Sequence, residues 1–142
     1  MKIEFSAGGI VYKKKANKLY VLVCQHSQHH GWVFPKGLIG DHVENEEKEE
    51  TAIREVLEET GVQGRITKPL TLIDYWYIFE NEKIKKTVYY YLMTVISEDI
   101  LNHDKEMENV EWLGAKNINN RLTYLSEKKV WKEAQKIIAD NE

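Results

Sequence analysis

The stretch REVLEETGV, residues 54–62, constrains this chain more than any other. On an α-helix, positions i, i+3 and i+4 share one face, so Glu55, Glu58 and Glu59 project together with Glu50 one turn before them. Like charges at that spacing destabilise a bare helix. The helix must therefore be held by packing, and something positive should sit against the acids. From about Glu46 to Thr60, Ala52, Ile53, Val56 and Leu57 form an apolar stripe opposite much of the acid, and Gly61 stands where a left-handed C-cap belongs. Arg54 can pair with Glu50 and Glu58 at i−4 and i+4, whereas Glu55 and Glu59 have no basic i+4 partner. A glutamate-rich helix face is ordinarily a solvated surface. Here no lysine dilutes the acid on that face. Hard oxygen ligands converging without a protein cation are what Mg2+ asks for, and it shares its shell with water and substrate phosphates.

The rest of the chain supplies a scaffold for that helix. FSAGGIVYK and KLYVLVCQH are β-branched and aromatic runs separated by KKANK, which predicts a hairpin. A loop SQHHG, a short strand WVF stopped by Pro35, and a turn-rich loop PKGLIGDHVENE lead to the acidic helix. After it, GRITKPLTLIDYWYIF, the turn ENEK, KTVYYYLMTVI and VEWLG predict further strands. In the tail, Val130, Trp131, Ala134, Ile137 and Ile138 recur at helical spacing, with Ser126 as the expected N-cap. Strands before, between and after two helices predict an α/β domain with helices covering a mixed sheet. At 142 residues, 42% of them hydrophobic, the chain is read as one domain spanning 1–142.

A formal charge of −3 gives no basic field, which argues against a long nucleic-acid duplex as partner, so any phosphate ligand must be held by local groups. The one cysteine, Cys24, lies in the apolar run YVLVCQ, and a reducing cytoplasm fits it. No apolar segment approaches the length of a membrane span, roughly 20 residues. The start MKIEFSAGG lacks the apolar core of a signal peptide. A membrane partner is not expected. His26, His29 and His30 have no acidic or cysteine partner at metal-ligand spacing, so they are read as a solvated loop.

The segment from Gly40 to Val62 resembles the signature box of the Nudix hydrolase family: Gly40, Glu46, Arg54-Glu55, Val56, Glu58-Glu59, Gly61 and Val62 at the box's spacing. Nine fixed positions are rarely met by accident. SAGGIVY is similar to the family's first strand, WVFPKG to its approach to the box, and EMENVEWLG to its late strand preceded by an extra acid. One departure concerns the box glycine. In close relatives it directly follows the proline strand end, here Gly37, whereas counting from Arg54 selects Gly40.

The resemblance implies an α/β/α sandwich and hydrolysis of a nucleoside diphosphate linked to another group, with magnesium (Mg2+) or Mn2+, more than one ion, and water attacking phosphorus. By position, Glu55, Glu58 and Glu59 are implied metal ligands, with one of them implied to orient the attacking water. Arg54 is an implied clamp, and Glu46 supports the ligands from behind. A backbone carbonyl is expected from the residue before the box glycine: Lys36 in one register, favoured, or Ile39 in the other. Glu106, six residues before Trp112, is the implied further ligand or base, with Glu108 as competitor. The lysine of FPKG, together with QHSQHHGW and KKTVYYYL, is most similar to the diadenosine tetraphosphate hydrolase branch. On that likeness Lys36 would meet phosphate, and Tyr77 or Phe79, which share a strand face, would stack on a base. KIKK, residues 83–86, is read from the sequence as an exposed turn, with Lys86 facing phosphate if its strand borders the cleft. The same chemistry on an oxidised nucleoside triphosphate, capped RNA, ADP-ribose or a diphosphoinositol polyphosphate, and a non-catalytic nucleotide-binding module, are the alternatives. Oligomeric state is not legible.

Overall fold

In the computed structural model, which describes residues 1–40 and 43–141, strands β1 (Lys2–Lys15) and β2 (Lys18–His26) form the expected hairpin. Its turn is the two-residue kind that needs positive φ at both central positions. Ala16 and Asn17 adopt 53° and 65°, and Lys15 pairs with Lys18. There follow β3 (Trp32–Val33), β4 (Lys36–Leu38), α1 (Lys48–Thr60), β5 (Val62–Pro69), β6 (Ile73–Phe79), β7 (Glu82–Glu98), β8 (Met107–Gly114), α2 (Ile118–Arg121) and α3 (Leu125–Asp140). The sheet runs β3-β2-β1-β7-β5, with β4 on β1, β6 on β7 and β8 on β2. The central pair, β1 and β7, is parallel and its neighbours are antiparallel, so the sheet is mixed as expected.

Both sheet faces are covered, which explains why the central strands are apolar at successive positions instead of alternating with polar residues. From β1, β2 and β7, Ile10, Val21, Val23, Val88, Tyr90 and Leu92 face α3, whose Val130, Trp131, Ala134 and Ile138 complete that layer. Their neighbours Ala7, Val11, Leu22, Tyr91 and Met93 face the other way and meet Ala52 and Val56 of α1. Burying Val56 contributes about 2 kcal/mol. The two close like-charge pairs that Glu55 makes with Glu58 and Glu59 cost about 0.5 kcal/mol each, so packing wins and the helix stands.

Several boundaries differ from expectation. The loop after Pro35 contains a strand, β4, because Gly8 of β1 pairs with Lys36; residues 41 and 42 of that loop lie outside the described residues. Helix α1 starts at Lys48 instead of Glu46, with Glu47 as N-cap and the Glu47 N–H donating to the Glu50 carboxylate at 3.1 Å. Helix α3 begins before Ser126, with Tyr124 in the cap position, so Ser126 sits inside the first turn. The apolar stripe of α1 is narrower than expected: Ala52 and Val56 are buried, but Leu57 is exposed. Glu55 and Glu59 lie on the buried side with them rather than opposite. Gly61 ends α1 as expected, at φ 80°, and a Cβ there would sit 1.9 Å from the Asp99 carbonyl oxygen. Among the described residues no helix is long and apolar enough to cross a membrane.

Candidate active site

Glu55 and Glu59 are 4% and 3% exposed, an unusual state for carboxylates on a helix. Gly37 explains how they fit. A Cβ at that position would lie 2.1 Å from the Glu55 carboxyl carbon, so the missing side chain is the space the carboxylate occupies. Gly40 has a different role, a turn at φ 77° with open space around it. Both glycines of the two possible registers are therefore needed, Gly37 by close approach and Gly40 by backbone conformation.

Arg54 clamps three acids. Its Nε and one terminal nitrogen donate to both oxygens of Glu46 at 2.8 and 3.0 Å, and the other nitrogen reaches Glu55 and Glu58 at 3.1 Å. Glu50 is not its partner as expected, since that carboxylate is drawn to the helix start. Glu46 also accepts the Thr51 hydroxyl at 2.7 Å and so ties the incoming loop to the helix. Glu59 is governed by burial, which pushes its pKa well above the usual carboxylate range, with Glu55 adding to the rise. Lys36 opposes it, its backbone N–H donating to Glu59 Oε1 at 3.2 Å.

Glu55 and Glu59 open onto a cleft of about 830 Å³ between α1, β4, β6 and the start of α3. It brings together Lys36, Glu55, Glu59, Tyr77, Lys86 and Glu106. Burial, and then the charge of Lys36, depress the Lys86 ammonium to about 8. Tyr77 is anchored by donating its hydroxyl to Glu4 at 2.5 Å. Phe79 shares its strand face but lies beyond the cleft, 59% exposed in a shallow hollow with Lys2, Glu80 and Glu82. Glu58 is turned outward and held by Arg54, its side chain 41% exposed. Between the competing late acids, Glu106 lines the cleft while Glu108 is engaged by the His30 ring. Ile39 packs with the α1 core and does not line the cleft, whereas Lys36 does.

Sequence reading missed Tyr75 and Glu127, which line the same cleft. Tyr75 is on the face of Tyr77 two positions earlier, with ring centroids 6.2 Å apart. Strand alternation could have found it. Glu127 is 3% exposed and its Oε2 accepts the Phe34 N–H at 2.9 Å and the Tyr90 hydroxyl at 2.7 Å. A lone acid three and four residues before the buried Val130 and Trp131 was its signal. His26 and His29 are not free loop residues either. Their rings stack at 4.3 Å on the cleft wall, each Nδ1 accepting a backbone N–H.

Among the described residues no three histidine, cysteine or carboxylate side chains converge into a ready-made metal cage. The donor set nonetheless fits a hard cation. Glu55 and Glu59 are buried carboxylates close enough to repel, beside an open cleft. An ion that keeps several waters needs few protein ligands.

The sequence matches the NUDIX domain family over residues 3–140. The chain belongs to the NUDIX family. A Mycobacterium tuberculosis protein that carries the mutator name MutT4 is 37% identical over 108 residues, which is 75% of this chain and 42% of that protein. The chain thus spans about two fifths of that relative's length. Among solved structures, a C. elegans Ap4A hydrolase binary complex superposes with a TM-score of 0.73 at 20% identity, covering 96% of this chain and 98% of the other. The NUDIX domain of Shewanella oneidensis NrtR, complexed with ADP ribose, gives 0.76 at 17% identity, covering 97% and 90%. At these identities the superpositions bear on the fold alone, and they share its mixed sheet between helices.

Proposed function

We propose that this NUDIX protein is a cytoplasmic, metal-dependent pyrophosphohydrolase that cleaves a nucleoside diphosphate linked to another group, with a dinucleoside polyphosphate such as diadenosine tetraphosphate as substrate. The observation that carries the reading is the meeting in one cleft of buried acids, Glu55 and Glu59, with two lysines, Lys36 and Lys86, and two tyrosines, Tyr75 and Tyr77. Glu55, Glu59 and the Lys36 carbonyl would hold Mg2+ or Mn2+, and Glu58, turned outward and held by Arg54, would join them on leaving that ion pair. When bound, such ions neutralise charge on non-bridging phosphate oxygens and make an attacking water more acidic. The protein's own part is positioning. Arg54 fixes the acids, Lys36 and Lys86 bind the polyphosphate, and Tyr77, with Tyr75 beside it, offers a ring face to a base. Glu106, or the helix acid left uncoordinated, takes the water's proton.

A lysine pair and a tyrosine pair suit a ligand with many phosphates and two bases. The neighbour complexed with ADP ribose keeps that class of ligand among the alternatives. Turnover of a panel with Mg2+ decides between them: diadenosine tetraphosphate, an oxidised nucleoside triphosphate, capped RNA, ADP-ribose and a diphosphoinositol polyphosphate. Asymmetric cleavage of diadenosine tetraphosphate to ATP and AMP is the expected result. Faster attack on another compound replaces this substrate, and no turnover of any compound favours a binding module.

A further inference from the structure

β6 is an edge strand without the usual protection. Its seven residues, IDYWYIF, pair in unbroken register with β7 on one side, and among the described residues no strand pairs with the other side. A free edge presents backbone donors and acceptors to any strand that can reach them, and folded proteins commonly blunt it with lysine, proline or a bulge. β6 has none of these, and Asp74 is its one charged residue. Trp76, Ile78 and Phe79 are exposed along it, Ile78 by 75%. An apolar strand of this length left open calls for a cover.

A copy of the same strand fits the edge. In an antiparallel ribbon about a two-fold axis at Trp76, Tyr75 lies opposite the partner's Tyr77, Asp74 opposite the partner's Ile78 and Ile73 opposite the partner's Phe79, so all seven residues pair. Charge and length select this register over its neighbours. Lys83 is the β7 neighbour of Ile78 and so stands in line with the partner's Asp74, a pair of opposite sign that the axis repeats. An axis at Tyr77 sets Asp74 against the partner's Glu80, two like charges. An axis at Tyr75 leaves Ile78 and Phe79 past the end of the partner's strand.

We propose that the free edge of β6 docks a second copy of this chain, which joins two sheets into one across a two-fold axis at Trp76. Side chains that face each other across such a ribbon share a face. Tyr75 lines the cleft, so each cleft gains the partner's Tyr77 at its rim.

Sedimentation equilibrium of the full chain tests the occupant and does not depend on the reaction the cleft performs. Wild-type protein at about 100 μM is expected at twice the chain mass of 16.7 kDa. Ile78→Lys, which places a charge on an exposed edge position, is expected at one chain mass with an unchanged thermal midpoint. A wild type that stays monomeric at that concentration leaves the edge to some other occupant and overturns the proposal, as does a dimer that Ile78→Lys leaves intact. Cysteine cross-linking reads the register. Facing Cα atoms of an antiparallel pair lie about 5 Å apart, within disulfide reach, so oxidation of Trp76→Cys should link two copies. Ile78→Cys should not link, because its two copies stand about 13 Å apart along the ribbon. Cys24 is buried and does not compete. Linking at position 78 in place of 76, or at neither, overturns the two-fold axis at Trp76.

Discussion

Glu59 combines burial, a like-charged neighbour and a backbone donor, and these pull in different directions. Burial wins, so in the absence of a cation the residue resists ionisation, and a divalent ion is what makes its charged form comfortable. Glu59→Gln keeps the side chain's shape and an oxygen to accept the Lys36 N–H, so the variant is expected to keep the wild-type unfolding midpoint within about 3 °C and to lose at least about 100-fold in kcat. Comparable turnover in Glu59→Gln would remove it from the machinery. Lys86 makes a prediction of its own with pH. Its folded-state pKa is lowered to about 8, so the ammonium that would meet phosphate is present below that pH and lost above it. The profile of kcat/KM should fall above about pH 8. In Lys86→Arg, whose guanidinium stays charged, the fall should disappear. A fall that survives in the arginine variant assigns it to another group.

At the scale of elements, the acidic helix works because a strand gives way to it. β4 lies against α1 with Gly37 facing Glu55, and Gly37→Ala would drive a methyl group into the carboxylate. Displacing a ligand by about an ångström costs on the order of 100-fold in rate, and Gly37 has no positive φ, so alanine there adds no backbone strain. Gly61→Ala is the reverse case, because it meets both a positive φ and the Asp99 carbonyl. About 2 kcal/mol of lost stability and a fall of about 8 °C in the thermal midpoint are expected. The two variants should therefore separate, one in rate and the other in stability, as assayed by turnover and thermal unfolding side by side. Equal loss of both properties in Gly37→Ala would mean that the glycine serves the fold and not the acids.

The difference between those glycines also marks what was legible from sequence. The hairpin, the capped end of α1 and the stripe of α3 were readable because turn chemistry and helical period are local signals. The inward rotation of Glu55 and Glu59 was not, because it depends on a missing side chain at Gly37, which is remote in sequence. Arg54 likewise chose Glu46 over Glu50 because a loop, not the helix ladder, delivers the better-placed carboxylate. Glu127 was hidden in an amphipathic helix by its own charge, although the period placed it on the apolar face.

Across the whole molecule, the sheet gathers groups from distant segments into one cleft: acids from α1, a lysine from β4, tyrosines from β6, a lysine from β7 and a buried acid from α3. No local segment contains both the acids and the cleft lysines, so only the folded sheet brings them together. Within the proposed reading Glu55 and Glu59 would hold a divalent ion that neutralises phosphate charge, so metal uptake should be stronger with a polyphosphate present than without. Calorimetric titration of Mg2+ into the protein with a slowly hydrolysed dinucleoside polyphosphate measures this directly. Uptake in the wild type that is abolished by Glu59→Gln is the predicted result, and absence of Mg2+ and Mn2+ uptake in the wild type, with nucleotide bound, would contradict the account.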